Sequence, residues 1–226
     1  AYEDIPEARK RLLSYAEDNN LVLLEASKTA FCPSFNHLVT LVKSGIIGEV
    51  VDVQASLSKM VESPTRELDA TQAGGAMNEH APLTLMAVIK ILGIDYTKVS
   101  FRSKVKDGAD IYTKVVLDYP HATSSVTLGI GVKTEGNLII SGTKGYVYVP
   151  APWWLTSFFE VRYEDQTKNK KYFYSYDGEG LRYEIQEFTS MIVNNRRGSY
   201  KLSKKESLAI AEIIEKYNNR KSYIEI

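Results

Sequence analysis

Between residues 97 and 149 the chain passes through a series of short stretches rich in β-branched, aromatic and other apolar residues, at 97–106, 111–119, 122–132, 136–141 and 146–149. The joints between them carry turn residues (Lys106-Asp107-Gly108, Tyr119-Pro120, Thr143-Lys144-Gly145) and are very short. A parallel connection needs a crossover of roughly a dozen residues or more, so links this short dictate antiparallel neighbours. Two further stretches, 158–164 and 171–176, extend the meander by a hairpin turning at Lys168-Asn169-Lys170-Lys171, a basic cluster that reads as a solvated turn. The 15 tyrosines fit this, because aromatic side chains pack well on pleated surfaces.

The segments on either side of the meander are helical. Pro6 sits where a first helical turn tolerates a missing N–H, and Ala8, Leu12, Leu13 and Ala16 recur at helical spacing, giving a helix over 6–19. Leu21-Val22-Leu23-Leu24 then reads as a short buried parallel strand. A helix feeding such a strand is half of a βαβ unit, so the chain is expected to begin in the middle of an architecture. Pro33 and Ser34 open a second helix with Phe35, Leu38, Val39 and Val42 on one face, closed by Gly45 behind Lys43. Residues 50–57 alternate as a half-buried strand, and 58–73, polar and containing Pro64, make a long surface loop. A helix over about 79–92 carries an inner stripe of Leu85, Met86, Ile89 and Leu92 and ends at Gly93. Asp177-Gly178-Glu179-Gly180 breaks the sheet ahead of a helix marked by Leu181, Ile185, Phe188 and Ile192. Ser203 and Glu206 form a capping box for a last helix running to Tyr217, and 222–226 offers one more strand. The fold class is α+β: a large, mostly antiparallel open sheet with helices on one face, its other face calling for a cover such as a second subunit.

Lys+Arg and Asp+Glu balance at 28 each, which excludes the electrostatic footprint of a general nucleic-acid binder. No stretch reaches the roughly 20 apolar residues of a membrane span, and the acidic start Ala1-Tyr2-Glu3-Asp4-Ile5 has no signal-peptide core. Cys32 is the single cysteine, in an apolar context between Phe31 and Pro33, and reads as a buried structural thiol. A cytoplasmic protein is expected.

The stretch Gln72-Ala73-Gly74-Gly75-Ala76-Met77-Asn78-Glu79-His80 brings together flexible backbone, a titratable pair and a helix start. Glu79 and His80 are candidate general acid and base. Adjacent helical residues do not face each other, however, and the plainer alternative has Asn78 capping the helix with Glu79 against its dipole. His37 and His121 lack metal-ligand spacing, the loop acids Glu62, Glu67 and Asp69 are weak ligands at most, and no metal is expected. No G-x-G-x-x-G, P-loop, H-E-x-x-H or G-x-S-x-G occurs, and Ser141-Gly142-Thr143-Lys144-Gly145 joins two strands as a hairpin turn. Trp153-Trp154, after Pro150-Ala151-Pro152, suits either a sugar-binding pocket or packing at a sheet edge.

Taken in order, Leu21-Val22-Leu23-Leu24-Glu25-Ala26, Phe31-Cys32-Pro33, Val42-Lys43-Ser44-Gly45-Ile46-Ile47-Gly48-Glu49-Val50, Gln72-Ala73-Gly74-Gly75-Ala76 and Ser141-Gly142-Thr143-Lys144-Gly145 resemble the C-terminal part of the Gfo/Idh/MocA oxidoreductases. The similarity is greatest to the branch containing dimeric dihydrodiol dehydrogenase. The resemblance implies a dihydrodipicolinate reductase-like C-terminal domain at 25–226 that binds substrate and dimerises through its open sheet, preceded at 1–24 by the last helix and strand of a Rossmann domain. It implies NAD or NADP in the full-length protein and none for this stretch alone, with a sugar, polyol or related hydroxy compound as substrate. Catalytic roles fall on Glu79 and, in second rank, His80. Substrate contacts fall on Lys28, Gly74, Gly75, Asn78 and Trp153, and cofactor contacts on Glu25 and Pro33. The family's proton-exchanging Tyr or His, four residues after the acid, corresponds here to Leu83, which carries no proton. That departure raises a second expectation, a non-catalytic relative that binds or scaffolds.

Overall fold

The computed structural model describes residues 5–62, 65–175 and 178–226. The expectations at residues 1–4, Pro64, Tyr176 and Asp177 lie outside them. The chain opens with α1 (Ile5–Asp18), the single turn α2 (Lys28–Phe31) and α3 (Pro33–Lys43). β1 (Val50–Ser58) follows, then two short 3₁₀ turns and α4 (Ala76–Leu92). The meander runs through β2 (Lys98–Lys106), β3 (Ala109–Asp118), β4 (Thr123–Gly129), β5 (Leu138–Gly142), β6 (Tyr146–Val149), β7 (Phe158–Arg162) and β8 (Lys170–Phe173). α5 (Leu181–Val193), α6 (Lys204–Asn218) and β9 (Tyr223–Glu225) complete it. The capping box is present: Ser203 Oγ accepts from Glu206 N while the Glu206 carboxylate accepts from Ser203 N.

All nine strands form one sheet in the order β8-β7-β6-β5-β1-β4-β3-β2-β9. It is mixed, which corrects the expectation of a mostly antiparallel sheet: β1 pairs parallel with β4, and β9 parallel with β2. The short-link argument holds for β2-β3-β4 and for β5 to β8. It fails between β4 and β5, where β1 is inserted between them. β1 precedes α4, so its return to the sheet is a long crossover, which a local reading of the meander cannot see.

One face of the sheet is packed. Val53, Ala55, Phe101, Val115, Leu117, Val126, Leu128, Leu138 and Ile140 are buried there, with α4 lying across β1, β3 and β4. α4 is covered in turn by α6, so Leu85 to Ile89 are buried all round the helix. The opposite face is mixed in character. Tyr148, Ile139, Gln54, Ser125, Val116 and Ser100 line up in register across six strands and are none of them buried. Arg162 lies over the Tyr148 ring at 4.9 Å.

Residues 21–24 are not a strand. Leu21 and Leu23 are exposed, and no strand among the described residues runs beside them. Without a neighbour, an apolar run has no ladder to join. The apolar stripe of α5 likewise faces outward: Leu181, Ile185, Phe188 and Ile192 are exposed, while Glu187 and Met191 are buried. Glu187 stays charged there because Arg196, Lys201 and Ser199 surround it.

Candidate functional site

The glycine pair is required by close packing. A Cβ on Gly74 would lie 2.6 Å from the Arg66 carbonyl oxygen, and one on Gly75 would lie 2.1 Å from Asp110 Oδ1. Gly75 also holds φ at +120°, which side chains other than glycine's rarely tolerate. It is the residue before the first turn of α4, so the helix starts three residues earlier than its apolar stripe suggests. Asn78 is therefore inside the helix and does not cap it, contrary to that alternative. The early start puts Glu79 and Leu83 one turn apart, on the same side of α4.

That side borders a cavity of about 210 Å³ lined by Glu25, Ala26, Ser27, Lys28, Glu79, Pro82, Leu83, Met86, Leu202 and Ile210. Three charged side chains reach it, and each is held from outside. Glu79 is ion-paired to Arg66 Nη2, with its two oxygens at 2.8 and 2.9 Å. Lys28 Nζ lies 2.7 Å from Glu179 Oε2. Glu25 accepts from Arg9 Nη1 at 2.9 Å and from the Ser207 hydroxyl. Thr29 fixes this segment further by donating to the Trp154 carbonyl at 2.8 Å. The result is a polar rim of two carboxylates and one ammonium over an apolar floor of Leu83, Met86, Leu202 and Ile210. Such a lining suits a small molecule with hydroxyl groups on one side and C–H surface on the other.

The structure thus brings together Glu25, Lys28 and Glu79 among the expected site residues, with Leu83. It does not bring the others there. His80 is next to Glu79 in sequence but is not part of the cavity lining, and its charged neighbours are Glu79 and Lys59. Burial holds its imidazole below the usual histidine pKa, and its Nε2 is buried with no hydrogen-bond partner among the described residues. Gly74 and Asn78 line a second cavity of about 210 Å³, together with Asp110, Tyr217 and Arg220. Trp153 is completely buried, its Nε1 donating to the Ser56 carbonyl at 2.9 Å, so its ring is core and not pocket wall. Pro33 is exposed in the first turn of α3 and lines neither cavity. Cys32 is buried with its thiol 3.4 Å from the Lys28 carbonyl, as its apolar context suggests.

Arg66, Glu179 and Asp110 escaped the sequence reading. Each acts on a residue in another segment, 13, 151 and 33 positions away respectively, and no local pattern marks such a partner. Asp69 has a local role: it accepts from Thr71 N, Thr71 Oγ1 and Gln72 Nε2, capping a 3₁₀ turn. Among the described residues no group of three His, Cys, Asp or Glu could hold a metal ion. No helix among them is long and apolar enough to cross a membrane.

Residues 35–148 match the GFO/IDH/MocA C-terminal domain. The chain is 26% identical over 215 residues to trans-1,2-dihydrobenzene-1,2-diol dehydrogenase of Oryctolagus cuniculus, covering 91% of this chain and 65% of that protein. The Homo sapiens protein of the same name is 25% identical over 216 residues, with 91% and 64% covered. The chain therefore spans a little under two thirds of the length of these relatives. In fold it resembles a 3-ketoreductase from Actinomadura kijaniata in complex with NADP and TDP-benzene (TM-score 0.83, 16% identity, 99% of this chain and 69% of that one). Levoglucosan dehydrogenase, in complex with NADH and levoglucosan, gives a TM-score of 0.81 at 14% identity, over 97% of this chain and 69% of that one. Aldose-aldose oxidoreductase from Caulobacter crescentus, complexed with glycerol, gives 0.82 at 15% identity, over 97% and 67%.

Proposed function

The chain belongs to the GFO/IDH/MocA family, and from that premise we propose that it is the substrate-binding and dimerising part of a nicotinamide-dependent oxidoreductase acting on a sugar, polyol or related hydroxy compound. The observation that carries this is the convergence of Glu25, Lys28 and Glu79 on one cavity with an apolar floor. The family's acid position falls on Glu79. The relatives named above include a dihydrobenzenediol dehydrogenase, a 3-ketoreductase and levoglucosan dehydrogenase.

The start of α4 offers little to the diphosphate of a dinucleotide. A diphosphate needs free backbone N–H groups at a helix start. At α4 the amides of Gly74, Gly75 and Met77 are already committed, to the Asp69 carbonyl, the Glu67 carbonyl and the Asp110 carboxylate. The cofactor, NAD or NADP, would be held mainly by a separate nucleotide-binding fold, with Glu25 the nearest candidate contact in this chain. When bound it supplies the hydride acceptor or donor. This chain's part is to orient the substrate: Glu79, held by Arg66, accepts hydrogen bonds from hydroxyls, and Lys28 donates to one. Leu83, at the position of the proton-exchanging residue, packs against C–H surface and moves no proton.

Titrating the protein with glycerol, levoglucosan and a panel of sugars and vicinal diols by saturation-transfer NMR tests this. Binding that is weakened at least tenfold by Glu79→Gln supports it, and no binding across the panel overturns it. Leu83 also favours a second reading, a family member that binds the same ligands without turnover. For assembly we propose a dimer through the uncovered sheet face, where Ile139, Val116 and Tyr148 alternate with polar residues. Light scattering at tens of micromolar is expected to give twice the chain mass, and a monomer refutes the dimer. Its single buried thiol accords with work in the cytoplasm.

A further inference from the structure

The start of α4 has no cap of its own. The residue before it is Gly75, which has no side chain to offer as a cap. Six residues into the helix, Pro82 has no N–H for the Asn78 carbonyl, so the first turn is tied to the rest of α4 by one bond fewer. A helix beginning in this way would fray. Instead a carboxylate arrives from the sheet: Asp110, at the start of β3, accepts from Met77 N through Oδ2 at 2.9 Å. Asp110 is itself fixed, with Thr113 Oγ1 donating to the same oxygen and Ser103 hydrogen-bonded to Thr113 at 2.7 Å. The space for it exists only because residue 75 is glycine, whose Cβ would otherwise sit 2.1 Å from Oδ1.

We propose that Asp110 is the positioning residue of the Glu79 cavity, a cap borrowed from the sheet that fixes the first turn of α4 and with it the place of Glu79. Through Gly75, whose carbonyl accepts from Glu79 N at 3.0 Å, the anchor lies one hydrogen bond from the acid. The role of Glu79 in ligand binding rests on the function proposed above; the anchoring does not. The carboxylate is reached from the second cavity, on the other side of the helix start, so a proton can reach it without crossing the Glu79 site. The titratable or charged groups facing it are Tyr217 of α6, which lines the same cavity, and Arg220, which lines it too with its guanidinium 4.1 Å from the Tyr223 ring centroid. Burial raises the Asp110 pKa to about 6, so the anchor changes charge near neutral pH.

Amide hydrogen exchange read by NMR tests the anchor without any ligand, so a failure here is distinct from a failure to bind polyols. In Asp110→Ala the amides of Met77, Asn78 and Glu79 are expected to exchange about tenfold faster, the worth of one hydrogen bond to a charged group. Amides of β3, β4 and α6 should keep their rates. Asp110→Asn, which can still accept from Met77, restores protection. Unchanged rates at 77–79, a loss spread evenly over sheet and helices, or no rescue by asparagine would each overturn the proposal. Should the alanine variant not fold, the wild type serves: the exchange rates at 77–79, corrected for intrinsic chemistry, are expected to shift between pH 5 and 7 in the wild type and not in Asp110→Asn, and a flat wild-type profile overturns it.

Discussion

Replacing Asp110 by asparagine should change how stability depends on pH in a direction opposite to that of most carboxylates. Asp110 is 5% exposed, and burial lifts its pKa from 3.8 to about 6 despite the hydrogen bonds from Thr113 and Met77. A folded-state pKa above the unfolded one means that the native protein binds the proton more tightly. The stabilisation linked to this group is therefore complete below pH 3.8 and is lost as pH rises through about 6. At 1.36 kcal/mol per pKa unit, a rise of roughly two units is worth about 3 kcal/mol. Asparagine does not titrate. The difference in unfolding free energy between Asp110→Asn and wild type should therefore grow in favour of the variant by about 2.4 kcal/mol between pH 4 and pH 7, the rest of the effect lying below pH 4. Urea denaturation at half-unit pH steps, followed by far-UV circular dichroism, measures it, and the other carboxylates cancel in the difference. A difference constant to within about 0.5 kcal/mol over that range would refute a buried, proton-binding Asp110.

Three other outcomes follow from the same geometry. Gly75→Ala puts a Cβ 2.1 Å from Asp110 Oδ1 at a φ of +120°, and is expected to destabilise by about 2–4 kcal/mol in urea titrations. Arg66→Ala removes a half-exposed ion pair, so stability should move by less than about 1 kcal/mol. Ligand binding in the Glu79 cavity should nonetheless weaken severalfold by calorimetry, because the carboxylate loses its fixed orientation. Trp153→Phe strands the Ser56 carbonyl and should cost about 1–3 kcal/mol with ligand affinity unchanged; a loss of affinity without loss of stability would return Trp153 to the pocket.

Much of this molecule was legible from local pattern. The strands of the meander, the capping box at Ser203 and the hairpin at Thr143-Lys144-Gly145 each rest on residues close together in the chain, and each is present. What escaped depends on partners far away. The insertion of β1 beside β4 is a choice made by the α4 crossover, and the run at 21–24 has no neighbouring strand among the described residues. The site divides the same way. Glu79 stands in a pattern visible in the sequence and Lys28 near one, but no pattern marks Arg66 and Glu179, which hold them, and Asn78 and Gly74 line the other cavity. The cap is the clearest case, since a glycine at the helix start conceals that the capping carboxylate is 33 positions away.

The most direct test is turnover by the native gene product with NAD and with NADP over a panel of sugars, polyols and vicinal diols, read by nicotinamide absorbance. At least one substrate should be oxidised, at a rate reduced tenfold or more by Glu79→Gln. Ligands that bind the cavity but give no turnover with either cofactor would contradict the oxidoreductase and leave the non-catalytic binder signalled by Leu83.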